Sequence, residues 1–401
     1  MSFFFNLKLT TNTFILNLTT SKEDQSEIKQ IAGRPHIDYP QKSILKCIIF
    51  LEDVSLENGP TAIVKNSRIN PELRKLYAHY RANPGKEDSI DIKEFLGDYI
   101  IEEDNISRYL IYRYKYRFFS KEKRVGEFPP CLQIEPTSVC NFRCIMCYQS
   151  DKSFSNKSNG FMSNMSLDLY KKVIDEVEGK VEAITLASRG EPTLNKDFKK
   201  MLNYSNKKFL ALKINTNASM LDENMIHAIL STDIQSIIFS VDAADKETYE
   251  KIRVNGKFDK IMKNLKLFAQ IRKDHYSKSK HIVKMSGVKI SKNQSMKSME
   301  RQFQELADVI AFVNYSPWES AYDNEPNDLK HACKELWTRM FVWADGKVNP
   351  CDYDYKSILS KWNAKDASIS NIWNSREYND LRQKHLNQKR STIEPCVRCL
   401  N

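Results

Sequence analysis

The segment Cys140-Asn141-Phe142-Arg143-Cys144-Ile145-Met146-Cys147-Tyr148 places three cysteines within nine residues. Three residues separate the first pair and two separate the second, so three thiolates can converge on one metal centre. A closed zinc site takes four ligands, and an iron–sulfur cube is usually held by four thiolates. A cube held by these three cysteines would leave one iron open to a substrate or cofactor. The alternatives are a zinc knuckle and three cysteines of a hydrophobic core.

The spacing Cys-x3-Cys-x2-Cys, followed by an aromatic residue, resembles the signature of the radical S-adenosylmethionine (radical SAM) superfamily. The preceding residues 132–136, Leu-Gln-Ile-Glu-Pro, predict a short strand where that family has its first barrel strand. The resemblance implies that the open iron binds the amino and carboxylate groups of S-adenosylmethionine. The reduced cluster would cleave it to methionine and a 5′-deoxyadenosyl radical, and Tyr148 would lie beside the adenine.

The composition of the 401 residues is that of a globular chain with 41% hydrophobic and 28% charged residues. Its net charge of +11 comes from lysines spread along the chain, so we expect no nucleic-acid partner. Seven of the nine cysteines fall into metal-like groups, which favours metal ligation over disulfides. Residues 1–18 contain no continuous apolar segment. We therefore expect a cytoplasmic protein without a membrane partner, and a reducing compartment would protect an oxygen-sensitive cluster.

Residues 1–125 form a predicted N-terminal α+β region. Apolar and polar residues alternate from Phe3 to Leu18 around a Thr-Thr-Asn turn, which predicts two strands. Downstream, His36 and Asp38 would face one side of a strand and could contribute to a facial triad for non-haem iron.

Part of this region resembles the phytanoyl-CoA dioxygenase family of Fe(II)/2-oxoglutarate oxygenases. The shared features are the His-x-Asp motif, the Phe-Leu-x-Asp-Val strand and the Glu-Asn-Gly-Pro turn within residues 33–75, with a weak extension to residues 97–101. No counterpart of the family's second histidine follows, since His79 lies in a helix-like run. We therefore predict a degenerate fragment or a fold reused for binding.

Residues 111–119, Ile-Tyr-Arg-Tyr-Lys-Tyr-Arg-Phe-Phe, alternate aromatic and basic side chains, which predicts a strand. Its basic face could bind phosphate or RNA, but a solvated face on a half-buried strand is the favoured interpretation. The following residues 121–130 end in Pro129-Pro130 and are predicted to be a linker.

Strands and helices alternate through residues 131–315, which favours parallel βα units. The predicted fold class is α/β, a partial TIM-like radical SAM barrel of six such units, with ligands at the carboxyl ends of its strands. The predicted segments are a helix at 166–178 and strands at 132–136, 181–188, 209–216, 236–241, 281–290 and 309–314.

Several polar residues at these strand ends match positions at which the radical SAM family binds S-adenosylmethionine. Gly190 and Glu191 occupy the place of a Gly-Gly-Glu-like turn that binds the methionine amino group, with Arg189 replacing its first glycine. The resemblance also implies ribose-side or methionine-side contacts from side chains further along the chain, namely Asn215, Asn217, Ser240 and Arg253. For Arg253 the expected partner is the methionine carboxylate, which suits a planar guanidinium. The alternative for each of these residues is an ordinary polar side chain on the protein surface.

Residues 316–401 hold a second cysteine group, in which an Asp345-Gly346 hairpin turn would bring Cys351 beside Cys333. Cys396 and Cys399 form a Cys-x2-Cys pair after a predicted helix at 369–388. Four thiolates suit either zinc or a fully ligated 4Fe–4S cluster. The spacing resembles the twitch domain, a shortened form of the SPASM auxiliary-cluster domain. This resemblance implies one auxiliary cluster and therefore two 4Fe–4S clusters in all.

The resemblance implies a radical SAM oxidoreductase or maturase that abstracts a hydrogen atom, with the auxiliary cluster accepting an electron. A peptide or protein is the first substrate interpretation, and a sugar or aminocyclitol small molecule is the second. A reductant such as flavodoxin or ferredoxin would serve as an electron-donating partner. A non-catalytic metal-binding scaffold is the alternative from another functional class.

Overall fold

In the computed structural model, the described parts of the chain are three N-terminal strands, residues 105–292 and residues 294–400. The strands β1 (Phe4–Thr10) and β2 (Thr13–Thr19) pair antiparallel, as predicted for this segment, and β3 (Lys46–Phe50) pairs with β2. The predicted features at His36, Asp38, His79, residues 53–75 and residues 97–101 lie outside the described residues.

The chain forms two compact units, Met1–Gly97 with Ile101–Tyr114, and Asp98–Ile100 with Lys115–Asn401. The predicted boundary between the barrel and the C-terminal domain, at residue 315, lies inside the second unit. That boundary therefore stays a prediction. No helix in the described residues has the length and apolar character needed to cross a membrane.

The prediction of a strand at residues 111–119 is wrong, because the chain forms helix α1 (Ile106–Glu122) there. Tyr109, Tyr112 and Phe119 are buried on one helical face, and Tyr114 is buried on the opposite side of the helix. Because buried aromatic residues lie on two sides of this helix, no single apolar stripe marked it in the sequence. The basic face proposed for a phosphate-binding strand does not exist in that form.

A nine-stranded sheet forms the centre of the second unit, in the order β12-β11-β10-β4-β5-β6-β7-β8-β9. The six strands β4 to β9 are mutually parallel and confirm the predicted partial barrel. Their bounds are Cys131–Ile134, Ala183–Leu186, Ala211–Thr216, Ser236–Ser240, Ile282–Lys289 and Val309–Asn314.

Helices follow the strands and cover one face of the sheet. In chain order, α2 to α8 are Lys152–Ser155, Leu167–Val177, Phe198–Ser205, Glu223–Leu230, Lys246–Ile252, Phe258–His275 and Met296–Phe303. Side-chain caps start several of them; Ser166, for example, accepts a hydrogen bond from the Leu169 amide at the start of α3. Leu212 and Ile214 on β6 are fully buried in the resulting core, while Lys213 and Asn215 point to the opposite face.

The C-terminal segment continues the barrel sheet. After helix α9 (Glu335–Thr338), strand β10 (Arg339–Val342) pairs parallel with β4 and antiparallel with β11 (Lys347–Asn349). This arrangement confirms the predicted hairpin at Asp345-Gly346, and β12 (Trp362–Asn363) completes the sheet.

The helix predicted at 369–388 is two helices, α10 (Ile369–Trp373) and α11 (Arg376–Leu386). The break occurs because Ser375 adopts an extended backbone and accepts a hydrogen bond from the Tyr378 amide, as an N-cap does.

Candidate active site

The parallel strands bring four polar segments to one edge of the sheet, at their carboxyl ends. The cysteine loop follows β4, the Arg189-Gly190-Glu191 turn follows β5, Asn217 follows β6, and Asp242 follows β7. Ligand sites of barrels form at this edge, because loops from several strands converge there.

Cys140, Cys144 and Cys147 are free thiols in this loop. Burial is the main cause that raises the pKa of Cys140 to about 12, and it also raises the pKa values of Cys144 and Cys147. The charges of the other two thiols raise the pKa of Cys147 further. Since a thiolate is the form that ligates metal, binding of a cationic iron centre would release these protons.

Backbone hydrogen bonds attach the cysteine loop to the segment after α6. The amides of Arg143 and Ile145 donate to the carbonyls of Val254 and Ile252, at 2.9 and 3.1 Å. The Gln149 side chain donates to the carbonyl oxygens of Ser138 and Arg189, at 2.8 and 2.5 Å. These bonds hold the loop against two neighbouring strand ends. Gln149 and the segment after α6 were not singled out by the sequence.

Arg253 was predicted to face a carboxylate, and in the structure it pairs with the carboxylate of Asp242 at 2.6 Å. Both side chains are buried, and Asp242 also accepts a hydrogen bond from the Val288 amide at 2.7 Å. Burial raises the pKa of the Cys144 thiol, and the Arg253 guanidinium opposes that rise because it lies against the sulfur. The pair therefore places a fixed positive charge beside the cysteine loop.

The Gly190-Glu191 turn lies against the start of the cysteine loop. A side chain at Gly190 would collide with the carbonyl oxygens of Thr137 and Val139, so only glycine allows this approach. The buried Glu191 carboxylate accepts hydrogen bonds from the Thr193 and Thr216 hydroxyls and from the Asn217 amide, at 2.5, 2.6 and 2.7 Å. Burial raises its pKa. Glu191 thus joins the ends of β5 and β6, and its Oε2 atom accepts only one of these bonds.

The remaining predicted ligand side chains differ in their surroundings. Asn217 is buried and donates to Asn141 Oδ1 at 3.0 Å, so it supports the cysteine loop. Asn215 presents a buried Oδ1 atom that has no hydrogen-bond partner among the described residues. Ser240 is partly exposed at the end of β7. Of these side chains, Asn215 has a buried acceptor ready for a ligand.

Tyr148 was predicted to lie beside an adenine, and the structure places it inside an aromatic cluster. Its hydroxyl donates to the Ser188 carbonyl at 2.7 Å, and its ring packs against Tyr355 and Phe154 with centroids 5.2 and 5.9 Å apart. The Trp318 ring is nearly parallel to it, at 6.0 Å and 9°. We define the aromatic cluster as Tyr148, Phe154, Trp318, Tyr322, Tyr353 and Tyr355.

The second cysteine set consists of four cysteines that form no disulfide with one another, Cys333, Cys351, Cys396 and Cys399. Burial raises the pKa of Cys333 to about 11, and that of Cys396 also rises. Charges on the other cysteines contribute to both shifts, so the four sulfurs share one neighbourhood. The hairpin thus brings Cys351 near Cys333, as predicted.

Among the residues that the structure describes, no three His, Cys, Asp or Glu side chains converge closely enough to hold one metal ion.

Arg189 and Glu135 form a buried ion pair that sequence reasoning missed. The guanidinium makes two bonds of 2.7 Å to the carboxylate and donates to the Tyr355 carbonyl at 2.8 Å. Glu135 also accepts from the Ala344 amide at 3.0 Å. An acid and a base directly after neighbouring buried strands were the signal in the sequence that could have identified the pair.

Two family models match the chain. The radical SAM superfamily matches residues 134–296, and the SPASM iron–sulfur cluster-binding domain matches residues 333–400. Radical SAM domains bind a 4Fe–4S cluster and S-adenosylmethionine, and SPASM domains bind additional iron–sulfur clusters.

Curated relatives are similar over part of their length. The chain is 28% identical to Fe-coproporphyrin III synthase of Methanosarcina barkeri over 148 residues, which cover 37% of this chain and 34% of that protein. It is 28% identical to mycofactocin maturase MftC of Mycobacterium tuberculosis over 153 residues, 38% of each. The chain thus spans little more than a third of the curated relatives it matches.

Among solved structures, Streptococcus suis SuiB bound to precursor peptide SuiA has a similar fold. The TM-score is 0.52 at 15% identity, and the match covers 71% of this chain and 74% of that chain. The two family models show that the chain contains a radical SAM domain and a C-terminal SPASM domain, the domains of a radical SAM enzyme.

Proposed function

We propose that this protein reductively cleaves S-adenosylmethionine and abstracts a hydrogen atom from a peptide or protein substrate. The observation that carries the proposal is the placement of two cysteine sets around the aromatic cluster at the carboxyl end of the sheet. Cys147 packs against one side of that cluster, and Cys351 and Cys399 pack against it as well.

Cys140, Cys144 and Cys147 would hold a 4Fe–4S cluster with one open iron. When bound and reduced, that cluster supplies the electron that splits S-adenosylmethionine into methionine and the 5′-deoxyadenosyl radical. The protein supplies orientation, because hydrogen bonds to Val254 and Ile252 fix the loop that carries the three thiols. Burial of the thiols excludes water from the site, which protects a radical from quenching.

The residues around the loop would bind S-adenosylmethionine. Gly190 permits close approach of its backbone, and the Glu191 Oε2 atom can accept a further hydrogen bond from the ammonium group. Asn215 offers its unpartnered Oδ1 atom, and Ser240 offers its hydroxyl. Asp242 binds Arg253 through Nε, so the terminal nitrogens of the guanidinium would be the donors to the methionine carboxylate.

Cys333, Cys351, Cys396 and Cys399 would hold an auxiliary 4Fe–4S cluster with all four ligands supplied by protein. Such a cluster can accept the electron that remains on the substrate after hydrogen abstraction and loss of a proton. The aromatic cluster separates the two cysteine sets, and Tyr355 lies close enough to Cys147 for that thiol's charge to raise the pKa of its phenol, in addition to the larger effect of burial. This arrangement suits a two-electron oxidation or crosslink.

A peptide substrate is supported by two of the similar proteins. One is named a maturase, and the SuiB structure contains a precursor peptide. The reductant would be a small electron-transfer protein such as flavodoxin or ferredoxin.

The test is anaerobic reconstitution with iron and sulfide, followed by dithionite and S-adenosylmethionine. We expect 5′-deoxyadenosine and methionine in equal amounts. With peptides encoded beside the gene, deuterium at the attacked position should appear in 5′-deoxyadenosine, and the peptide should lose two hydrogens. Absence of 5′-deoxyadenosine from iron-loaded, folded protein would instead support a non-catalytic scaffold.

A further inference from the structure

The inner face of the barrel is the face opposite the helices. Because successive residues on a strand point to opposite faces, Lys213 lies on the face that Leu212 and Ile214 leave open. The strand register carries this face across the sheet: Lys213 pairs with Thr185 on one side and Ser236 on the other. We call this face the barrel lumen.

Two lysines and one arginine lie on the lumen face. Ile238 pairs with Lys284, and it is two residues from Ser236, so Lys284 shares the face of Lys213. Arg339 lies on the same face, because it pairs with Cys131, two residues before the lumen residue Gln133. The strands β6 and β8 are two strand spacings apart, about 10 Å. Two extended lysine side chains can reach one ligand across such a gap on a concave face.

Arg339 and Lys213 differ in their acidic partners. Arg339 has a carboxylate partner, Glu335, at 3.6 Å. The Lys213 side chain, in contrast, makes no ion pair or hydrogen bond within the described part of the chain. Its pKa is lowered to about 8, chiefly by burial and with smaller contributions from the charges of Arg339 and Lys284, which Cys131 partly opposes. Because a half-buried cation without an anion costs stability, the surroundings of Lys213 are matched to a negatively charged group.

Neutral polar atoms near these lysines also lack partners. Asn215 Oδ1 and Ser236 Oγ are buried without a hydrogen bond, and both residues lie on the lumen face of adjacent strands. A ligand that filled the lumen would bring groups to satisfy them. Lys213 is partly exposed, so the site is open to a ligand.

We propose that the lumen binds a carboxylate of the substrate between Lys213 and Lys284. This inference rests on the proposed function, in which the substrate is a peptide, and it adds that the peptide carries an acidic side chain or a free C-terminus near the attacked position. The carboxylate lies on the inner face of the barrel, and the attacked carbon faces the strand ends that hold the cysteine loop. Lys213 and Lys284 are positioning residues that orient the substrate.

The test measures protection of Lys213 from an amine-directed reagent and needs no turnover. Reconstituted protein is treated briefly with acetic anhydride, and the labelling rate of each lysine is followed by mass spectrometry. The probes are N-acetylglycylglycine, its carboxamide and inorganic phosphate. We expect the carboxylate at saturation to slow labelling of Lys213 at least about threefold, and the carboxamide to leave it unchanged.

The exposed Lys266 on α7 serves as the internal control, and its labelling should be the same under all conditions. Lys284→Gln should weaken protection of Lys213, whereas Lys266→Gln should not. Equal protection by the carboxamide, protection by phosphate alone, or no protection would each overturn the proposal. The protection of Lys213 measured on the wild-type protein tests the proposal even if the Lys284→Gln variant fails to fold. Since no S-adenosylmethionine is added, failure here is distinct from failure of the proposed function.

Discussion

Arg189 Nη2 lies 2.7 Å from Glu135 Oε1, and the side chains are 2% and 0% exposed. The pair joins the ends of β4 and β5, and through the Ala344 amide and the Tyr355 carbonyl it also reaches the C-terminal segment. The Trp343 ring covers the guanidinium, with its centroid 4.3 Å away. Arg189, together with Glu135, thereby attaches the C-terminal segment to the barrel.

Replacing Arg189 with methionine should reduce the free energy of unfolding by about 3–5 kcal/mol, because the buried Glu135 carboxylate loses its partner. Urea unfolding under anaerobic conditions measures this change. The double variant Arg189→Met/Glu135→Gln should recover part of the loss, since it removes the buried charge.

The control for this prediction is Lys251→Met, which breaks an exposed ion pair with Glu247. Its effect should stay below about 1 kcal/mol. If Arg189→Met behaves like this control, the buried pair does not hold the segments together.

The two cysteine sets should differ in their effect on cleavage of S-adenosylmethionine. Joint replacement of Cys140, Cys144 and Cys147 by alanine should abolish 5′-deoxyadenosine, because no open iron remains. Replacement of Cys396 and Cys399 should leave slow cleavage that is not coupled to product formation. Chromatography of the products, normalised to folded and iron-counted protein, separates these outcomes.

Cys131→Ala provides the matched control, because Cys131 is a buried cysteine outside both sets. It should keep both cleavage and iron content. Persistent 5′-deoxyadenosine in the triple variant would falsify the assignment of the first cluster.

Reconstituted protein should contain about eight irons per chain, the content of two 4Fe–4S clusters. Loss of Cys333 and Cys351 should reduce this number to about four. Analysis of iron, sulfide and zinc in the purified protein measures the metal content per chain. One tightly bound zinc together with four irons would show that the C-terminal set is a structural zinc site.

Lys213→Met should raise stability at neutral pH, by roughly 1–3 kcal/mol, because the wild-type protein holds a buried cation there. The folded pKa of Lys213, about 8, is below the usual lysine value. Between these two values the unfolded chain binds more protons than the folded one, so wild-type stability rises with pH.

The advantage of the variant should therefore be full below pH 8 and shrink as the pH approaches the usual lysine value. The difference between the two urea midpoints at several pH values tests this sign. A difference that is constant with pH would mean that the Lys213 ammonium carries no cost in the folded state.

Local signals in the sequence were sufficient to predict the parallel strands and the cysteine loop. The strand predicted at 309–314 has those bounds in the structure, and the helix predicted from residue 166 begins at that N-cap. Both rest on period and capping, which act between residues a few positions apart. At residues 111–119 the alternation of aromatic and basic residues is typical of a strand, but the chain forms a helix there, so the local signal gave the wrong prediction.

The sequence by itself determined the three-plus-four cysteine pattern, the glycine at position 190 and the alternation of strands and helices, because each depends on spacing along the chain. Only the tertiary structure decided which charges meet. Arg189 finds Glu135, 54 positions away, and β10 finds β4, more than 200 positions away, because strand order and register bring them together. The same order places Lys213, Lys284 and Arg339 on one face, which no local pattern of these separate strands could show.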